Sequence, residues 1–197
     1  MKRLLEASSL RALARGCAVL GAGGGGDTYI ALLQALQATE EFGPVPLVDL
    51  DELPDDDLIM PCGGIGAPTV SIEKIENGDE GARLRHHLED LTGRRVAALM
   101  AGEIGGGNGL IPITWAAQMG LPIVDADGMG RAFPEVNQVT MHLAGISPSP
   151  AVICAGSNFV ESTCAKPRLA SMPCSELVKS RCASSAASRP LRAALPG

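Results

Sequence analysis

The sequence predicts an α/β domain: a parallel or mixed sheet with flanking helices, and glycine-rich loops at the C-terminal ends of the strands. Three observations predict it. Residues 95–125 read as strand, glycine loop, helix, strand: RVAALMA, GEIGGGNG, an apolar stretch from Leu110 to Met119 closed by Gly120, then LPIVD. A β-loop-α-β unit of this kind favours parallel pairing. Two further apolar runs of strand length, Val45 to Leu50 and Asp57 to Cys62, precede it. The composition, 46% hydrophobic and 19% charged over 197 residues, is that of one globular core.

The elements follow in order. Ser9 is a candidate cap for a first helix, and Leu10, Leu13, Ala14, Cys17 and Leu20 recur at spacings of three and four. The run GAGGGGDTY comes next, and Asp27 is placed to cap a second helix over Thr28 to Ala38, with Tyr29, Leu32, Leu33 and Leu36 along one side. Gly21, Gly23 and Gly26 satisfy G-x-G-x-x-G, with Asp49 downstream, but a dinucleotide fingerprint needs a strand before its glycines. The preceding pattern is helical, so a helix-to-helix turn is the stronger reading. After the strand ending at Cys62, PCGGIGAP reads as a loop, and Pro68 suits the start of a helix near Thr69 to Glu76. Arg83 to Leu91 has helical character. From about Ser157 glycine disappears until Gly197 while Ser, Ala, Arg, Pro and Cys dominate. The chain therefore divides into residues 1–156, the α/β domain, and residues 157–197, a tail that reads as disordered or aberrant.

The net charge of −6 is unevenly spread. Beyond Gly156 there are two acids, Glu161 and Glu176, and six bases; the preceding body is strongly acidic. An acidic body argues against a nucleic-acid partner, because phosphate binding needs clustered Lys and Arg. No amphipathic repeat or long apolar run points to a membrane. No secretory signal pattern opens the chain, so the cytoplasm is the expected compartment. The cysteines at 17, 62, 154, 164, 174 and 182 form no C-x-x-C pair. There is no Gly-x-Ser-x-Gly elbow and no Walker lysine after a glycine loop, which removes esterase and P-loop readings.

In open α/β sheets ligands bind outside the carboxyl ends of the strands. That edge collects Cys62, then Glu103 with Asn108, then Asp125 and Asp127, each beside glycines. Cys62 is either a small apolar filler or a nucleophile or metal ligand. Glu103 either caps its loop or serves as a general acid or base. Asp125 and Asp127 are either turn residues or a pair that holds a divalent cation or shares a proton. Asp55, Asp56 and Asp57 read as a solvated turn, and His86 and His87 as surface residues on a charged helix. His142, downstream of Glu135 in FPEVNQVTMH, is a lone histidine.

Four motifs in this order, GAGGGGDTY, MPCGGIGAPTVSIEK, GEIGGGNGLIP and GLPIVDADGMGRAFPE, resemble a bacterial and archaeal family described as hydantoinase/oxoprolinase-like, and named for S-methyl thiohydantoin desulfurase. The resemblance runs from about Leu4 to Ala155. It implies an α/β N-terminal domain, followed in full-length relatives by a strand-rich C-terminal domain whose beginning the tail here does not resemble. It also implies hydrolysis of a five-membered cyclic ureide, such as a thiohydantoin that loses its sulfur substituent.

The motif positions that would inherit a role are Cys62, Glu73, Glu103, Asn108, Asp125, Asp127, Arg131 and Glu135. Chemistry divides them into catalytic candidates (Cys62, Glu103, Asp125, Asp127) and substrate-binding candidates (Gly24, Gly25, Asp27, Glu73, Asn108, Arg131, Glu135). Glycine-loop N–H groups would stabilise an oxyanion. A metal-bound hydroxide would serve equally, with Cys62, the aspartates or His142 as ligands, and zinc is the natural ion if Cys62 ligates. The expected partner is a small-molecule substrate, with a homo-oligomer or a hydantoinase-type enzyme as a further partner. Two other classes stay open: a non-catalytic nucleotide- or small-molecule-binding module, and an accessory subunit of a hydantoinase-type enzyme.

Overall fold

A computed structural model describes residues 3–66, 78–145, 151–155 and 158–162. The chain runs β1 (Arg3–Leu5), α1 (Ala7–Gly21), α2 (Thr28–Phe42), β2 (Val45–Val48), β3 (Leu58–Cys62), α3 (Glu80–Thr92), β4 (Val96–Ala101), α4 (Ile111–Met119), β5 (Ile123–Asp127), α5 (Thr140–Leu143), β6 (Ala151–Ala155) and β7 (Asn158–Ser162). Five strands form a mixed sheet in the order β1-β2-β5-β4-β3. β1 runs antiparallel to β2, and the other pairings are parallel. β6 and β7 form a separate antiparallel hairpin.

The sheet divides the core into two clusters. Leu58, Met60, Val96, Leu99 and Ile123 face the helices, packing with Leu10, Ala14, Ala31, Ala35, Leu110, Ile113 and Trp115. Ile59, Ala98, Met100 and Val124 face the other way, covered by Leu50 from a 3-10 turn, Val139, and Met141 from the one-turn helix α5. The two-residue alternation of strands produces this split: Leu99 and Met100, both fully buried, are neighbours in β4 yet belong to opposite clusters.

Four expectations are corrected in detail. α1 begins at Ala7, so Ser9 lies inside it and its hydroxyl donates to the Glu6 carbonyl at 2.8 Å. α2 buries Ala31, Ala35 and Ala38, while Tyr29 and Leu33 are exposed. This helix touches α1, α4 and the glycine loop after β4, and such close contact on its inner side admits small side chains. β2 stops at Val48 because Leu50 turns inward in a 3-10 turn, Leu50–Glu52. β5 starts two residues later than expected, since Leu121 still closes the end of α4 through its N–H to the Ala116 carbonyl. The helix expected near Thr69 to Glu76 lies outside the described residues. His87 is half-buried; His86 is exposed and pairs with Asp90 at 3.5 Å.

The glycine run does join two helices. Asp27 caps α2, its carboxylate accepting from the Tyr29 N–H at 2.7 Å. Among the described residues, no helix is long and apolar enough to cross a membrane.

Candidate active site

The parallel strands β3, β4 and β5 end side by side, so their following loops share one edge of the sheet. Cys62 pairs with Ala101 in the ladder, and the Gly102 N–H donates to the Cys62 carbonyl at 2.8 Å. The loops after β3 and β4 are thus adjacent from their first residue. Beyond that point one side chain joins them. The Asn108 amide Nδ2 donates to the Gly64 carbonyl at 2.9 Å and to Glu103 Oε1 at 2.6 Å, and its Oδ1 accepts from the Gly64 N–H at 2.7 Å. The other carboxylate oxygen, Glu103 Oε2, accepts from the Phe133 N–H at 3.1 Å. Glu103 is thereby fixed from both sides.

A cavity of about 330 Å³ opens beside this network. Cys62, Gly64, Glu103, Asn108 and Glu135 are among its lining residues. Its other walls are apolar: Leu58 to Met60 from β3, Leu84 and Leu88 from α3, Met129 and Met141, and Ala151 to Ile153 from β6. Of the residues singled out from the sequence, Cys62, Glu103, Asn108 and Glu135 therefore share one cavity. Pockets of this kind, apolar with a few convergent polar groups, are the usual form of a small-molecule site.

The remaining candidates lie elsewhere. Asp125 is exposed and forms an ion pair with Arg3 at 2.7 Å. Asp127 Oδ2 accepts from the N–H groups of Ile104, Met129 and Gly130, stapling the loop after β5 to the loop after β4. That is turn chemistry. Arg131 stacks over the Phe133 ring at 5.5 Å. Asp27 is the helix cap described above. Gly24 and Gly25 pack against the loop after β4, and Glu73 lies outside the described residues. His142 is exposed.

The glycine run meets a second glycine run. Gly107 N–H donates to the Gly26 carbonyl at 3.1 Å and Asn108 N–H to the Gly25 carbonyl at 3.0 Å. Gly25 has φ +78°, and a Cβ there would strike the Gly105 carbonyl; one on Gly106, φ +68°, would strike Gly24 and Gly25. Backbone lies directly on backbone, which side chains would prevent. The N–H groups of Gly64, Gly102, Gly107 and Asn108 are all bonded within the protein. The expectation that such N–H groups wait for an oxyanion is corrected at these four positions.

Burial pushes the Cys62 thiol up to about 12, and its Sγ donates to the Met100 carbonyl at 3.6 Å. At neutral pH the group is a thiol, and the thiolate is the nucleophilic and ligating form. Among the described residues, no three His, Cys, Asp or Glu side chains stand together in a way that could hold a metal ion. The donor set proposed for zinc is not assembled by these residues.

The match to known proteins agrees with this architecture. The model of the S-Me-THD-like N-terminal domain matches residues 8–161. The chain belongs to the S-Me-THD-like family. A crystal structure of a protein from Chromobacterium violaceum is 29% identical and superposes with a TM-score of 0.66 over 94% of this chain. The S-Me-THD-like chain spans about half of that protein, 51% of its length. No curated protein matches it significantly.

Sequence reasoning missed the Phe133 N–H as the second anchor of Glu103 and missed most apolar walls. The first is a backbone group, and no side-chain pattern announces it. The second includes β6, which lies where the composition begins to change.

Proposed function

We propose that this S-Me-THD-like domain carries the hydrolytic site for a hydantoin- or thiohydantoin-like cyclic ureide, with Glu103 as general base. One observation supports this above the others: a carboxylate anchored through both oxygens lines a largely apolar cavity together with Cys62 and Asn108. A positioned carboxylate at a cavity wall is suited to taking a proton from water. For S-methyl thiohydantoin, the water oxygen adds to the ring carbon that bears sulfur as Glu103 accepts its proton. The carbon–sulfur bond then breaks, the proton leaves with methanethiol, and hydantoin remains. Cys62, as a thiol, forms part of the wall around the ring.

A nucleotide at the first glycine run is the weaker reading. That run lies between two helices, and its Gly25 and Gly26 carbonyls are occupied by the loop after β4.

The test is release of methanethiol from S-methyl thiohydantoin by the full chain and by its Glu103→Gln variant. Loss of a general base lowers kcat by about 10²- to 10⁴-fold, with KM little changed. Turnover by the variant close to that of the wild type would overturn the assignment of Glu103. Absence of release by the wild-type chain would overturn the substrate class for this polypeptide.

A further inference from the structure

We propose that Asn108 is a positioning residue for Glu103, holding the general base in register with the loop that follows Cys62. The proposal rests on the reading of Glu103 given above. Asn108 is one of two buried polar residues among the described residues, 7% exposed. Its amide spends both N–H bonds and its oxygen on the protein: two contacts to Gly64 and one to Glu103. A side chain so committed has little left to offer a ligand, and a strut replaces the substrate-binding role that chemistry suggested for Asn108. The amide's orientation follows from the same contacts. Turned over, it would set NH2 against the Gly64 N–H and oxygen against both the Gly64 carbonyl and Glu103. Only an amide supplies an acceptor on one side and two donors on the other, which neither Asp nor Leu, both near in size, can do.

The charged and titratable groups around it come from every neighbouring loop. Glu103 follows β4, Cys62 ends β3, Asp127 ends β5, and Glu135 with Arg131 lies on the segment after β5. Asp27 caps α2 behind the loop, and Cys17 lies under Gly109. Of these, Glu103 alone is bonded to the Asn108 side chain.

This geometry gives Asn108→Asp a distinctive pH response. The introduced carboxyl would face Glu103, and two carboxylates in contact cannot both ionise without raising one titration. When protonated, the new group donates to Glu103 Oε1 much as the amide does; when ionised, it repels it. In the folded variant the pair therefore titrates higher than in the unfolded chain. Its contribution to stability is present at low pH and lost as pH rises through the raised value.

The experiment measures Asn108→Asp, Asn108→Ala and wild type from pH 5.5 to pH 8, by thermal unfolding and by methanethiol release from S-methyl thiohydantoin. The Tm deficit of Asn108→Asp should grow with pH, and that of Asn108→Ala should stay level. In turnover, Asn108→Ala should lose about 10-fold or more in kcat with KM within about 3-fold, as expected when a base is displaced. The kcat of Asn108→Asp relative to wild type should rise at least about tenfold from pH 8 to pH 5.5. A Tm deficit of Asn108→Asp that does not change with pH, or wild-type kcat in Asn108→Ala, overturns the positioning role. A growing Tm deficit in a wild-type chain that releases no methanethiol keeps the Asn108–Glu103 contact and overturns the catalytic reading beneath it.

Discussion

Cys17 lies under the Gly109 backbone and Cys62 ends β3, and burial pushes their thiols up to about 11 and about 12. Above pH 9, where an exposed cysteine ionises, the unfolded chain gives up protons that the folded chain keeps. Stability is then fully present below pH 9 and is lost as pH rises toward the folded values, by about 1.4 kcal/mol per unit for each thiol. The stability difference between wild type and Cys62→Ala, read from urea midpoints, should narrow between pH 9 and pH 11. A difference that holds constant would show a thiol in contact with water. At this scale the sequence carried part of the cavity lining. Cys62, Glu103 and Asn108 each follow a buried strand beside glycine, and that pattern placed them on one edge. Asp125 and Asp127 shared the pattern but have other work. The strand ends at Asp127 and not at Asp125, so Asp127 is the carboxylate that meets the loop N–H groups, and no local signal fixes such a boundary to within two residues.

At the scale of elements, the contact between the two glycine runs places the loop after β4. Gly25 and Gly106 both adopt positive φ and both lie against backbone. Gly25→Ala therefore combines backbone strain with a steric clash and should lower stability by about 2 kcal/mol or more. It should also disturb Asn108, whose N–H bonds the Gly25 carbonyl. Gly16 is the control: it sits exposed within α1, and a Cβ there meets nothing within 4 Å. Gly16→Ala should raise stability by about 0.5–1 kcal/mol through helix propensity. Equal effects of the two substitutions in thermal unfolding would contradict the packing described. The helix-turn-helix was legible because Asp27 supplies a cap and a helical period precedes the glycines. β1 was not, since three residues, Arg3 to Leu5, carry no period, and its ion pairs from Arg3 to Asp49 and Asp125 link positions far apart in sequence. β7 was not legible either, because Asn158 to Ser162 lies past the change in composition and pairs with β6 rather than with the main sheet.

For the molecule as a whole, the consequence of the sheet is that two unequal cores share strands β3, β4 and β5. Leu99 points toward four helices and Met100 toward a thin layer made of Leu50, Val139 and Met141. Truncating either side chain removes buried apolar contacts and leaves a cavity, at a typical cost of about 2–5 kcal/mol. The cost depends on how far the surroundings can close in. Short one-turn segments relax more readily than long packed helices, and Met is the more adaptable side chain. Leu99→Ala should therefore cost more than Met100→Ala. Both should shift a single transition, because β4 lies between β3 and β5 and supplies residues to both clusters. Trp115, the only tryptophan, belongs to the helix-side cluster and reports on that side alone, while circular dichroism reports on the whole chain. In urea, the two signals should coincide for wild type and for both variants. If Met100→Ala moved the circular dichroism transition and left the Trp115 transition in place, the thin side would unfold by itself. The cavity, whose walls include Ile59, Met60, Val139 and Met141 from both clusters, would then lose one wall before the other.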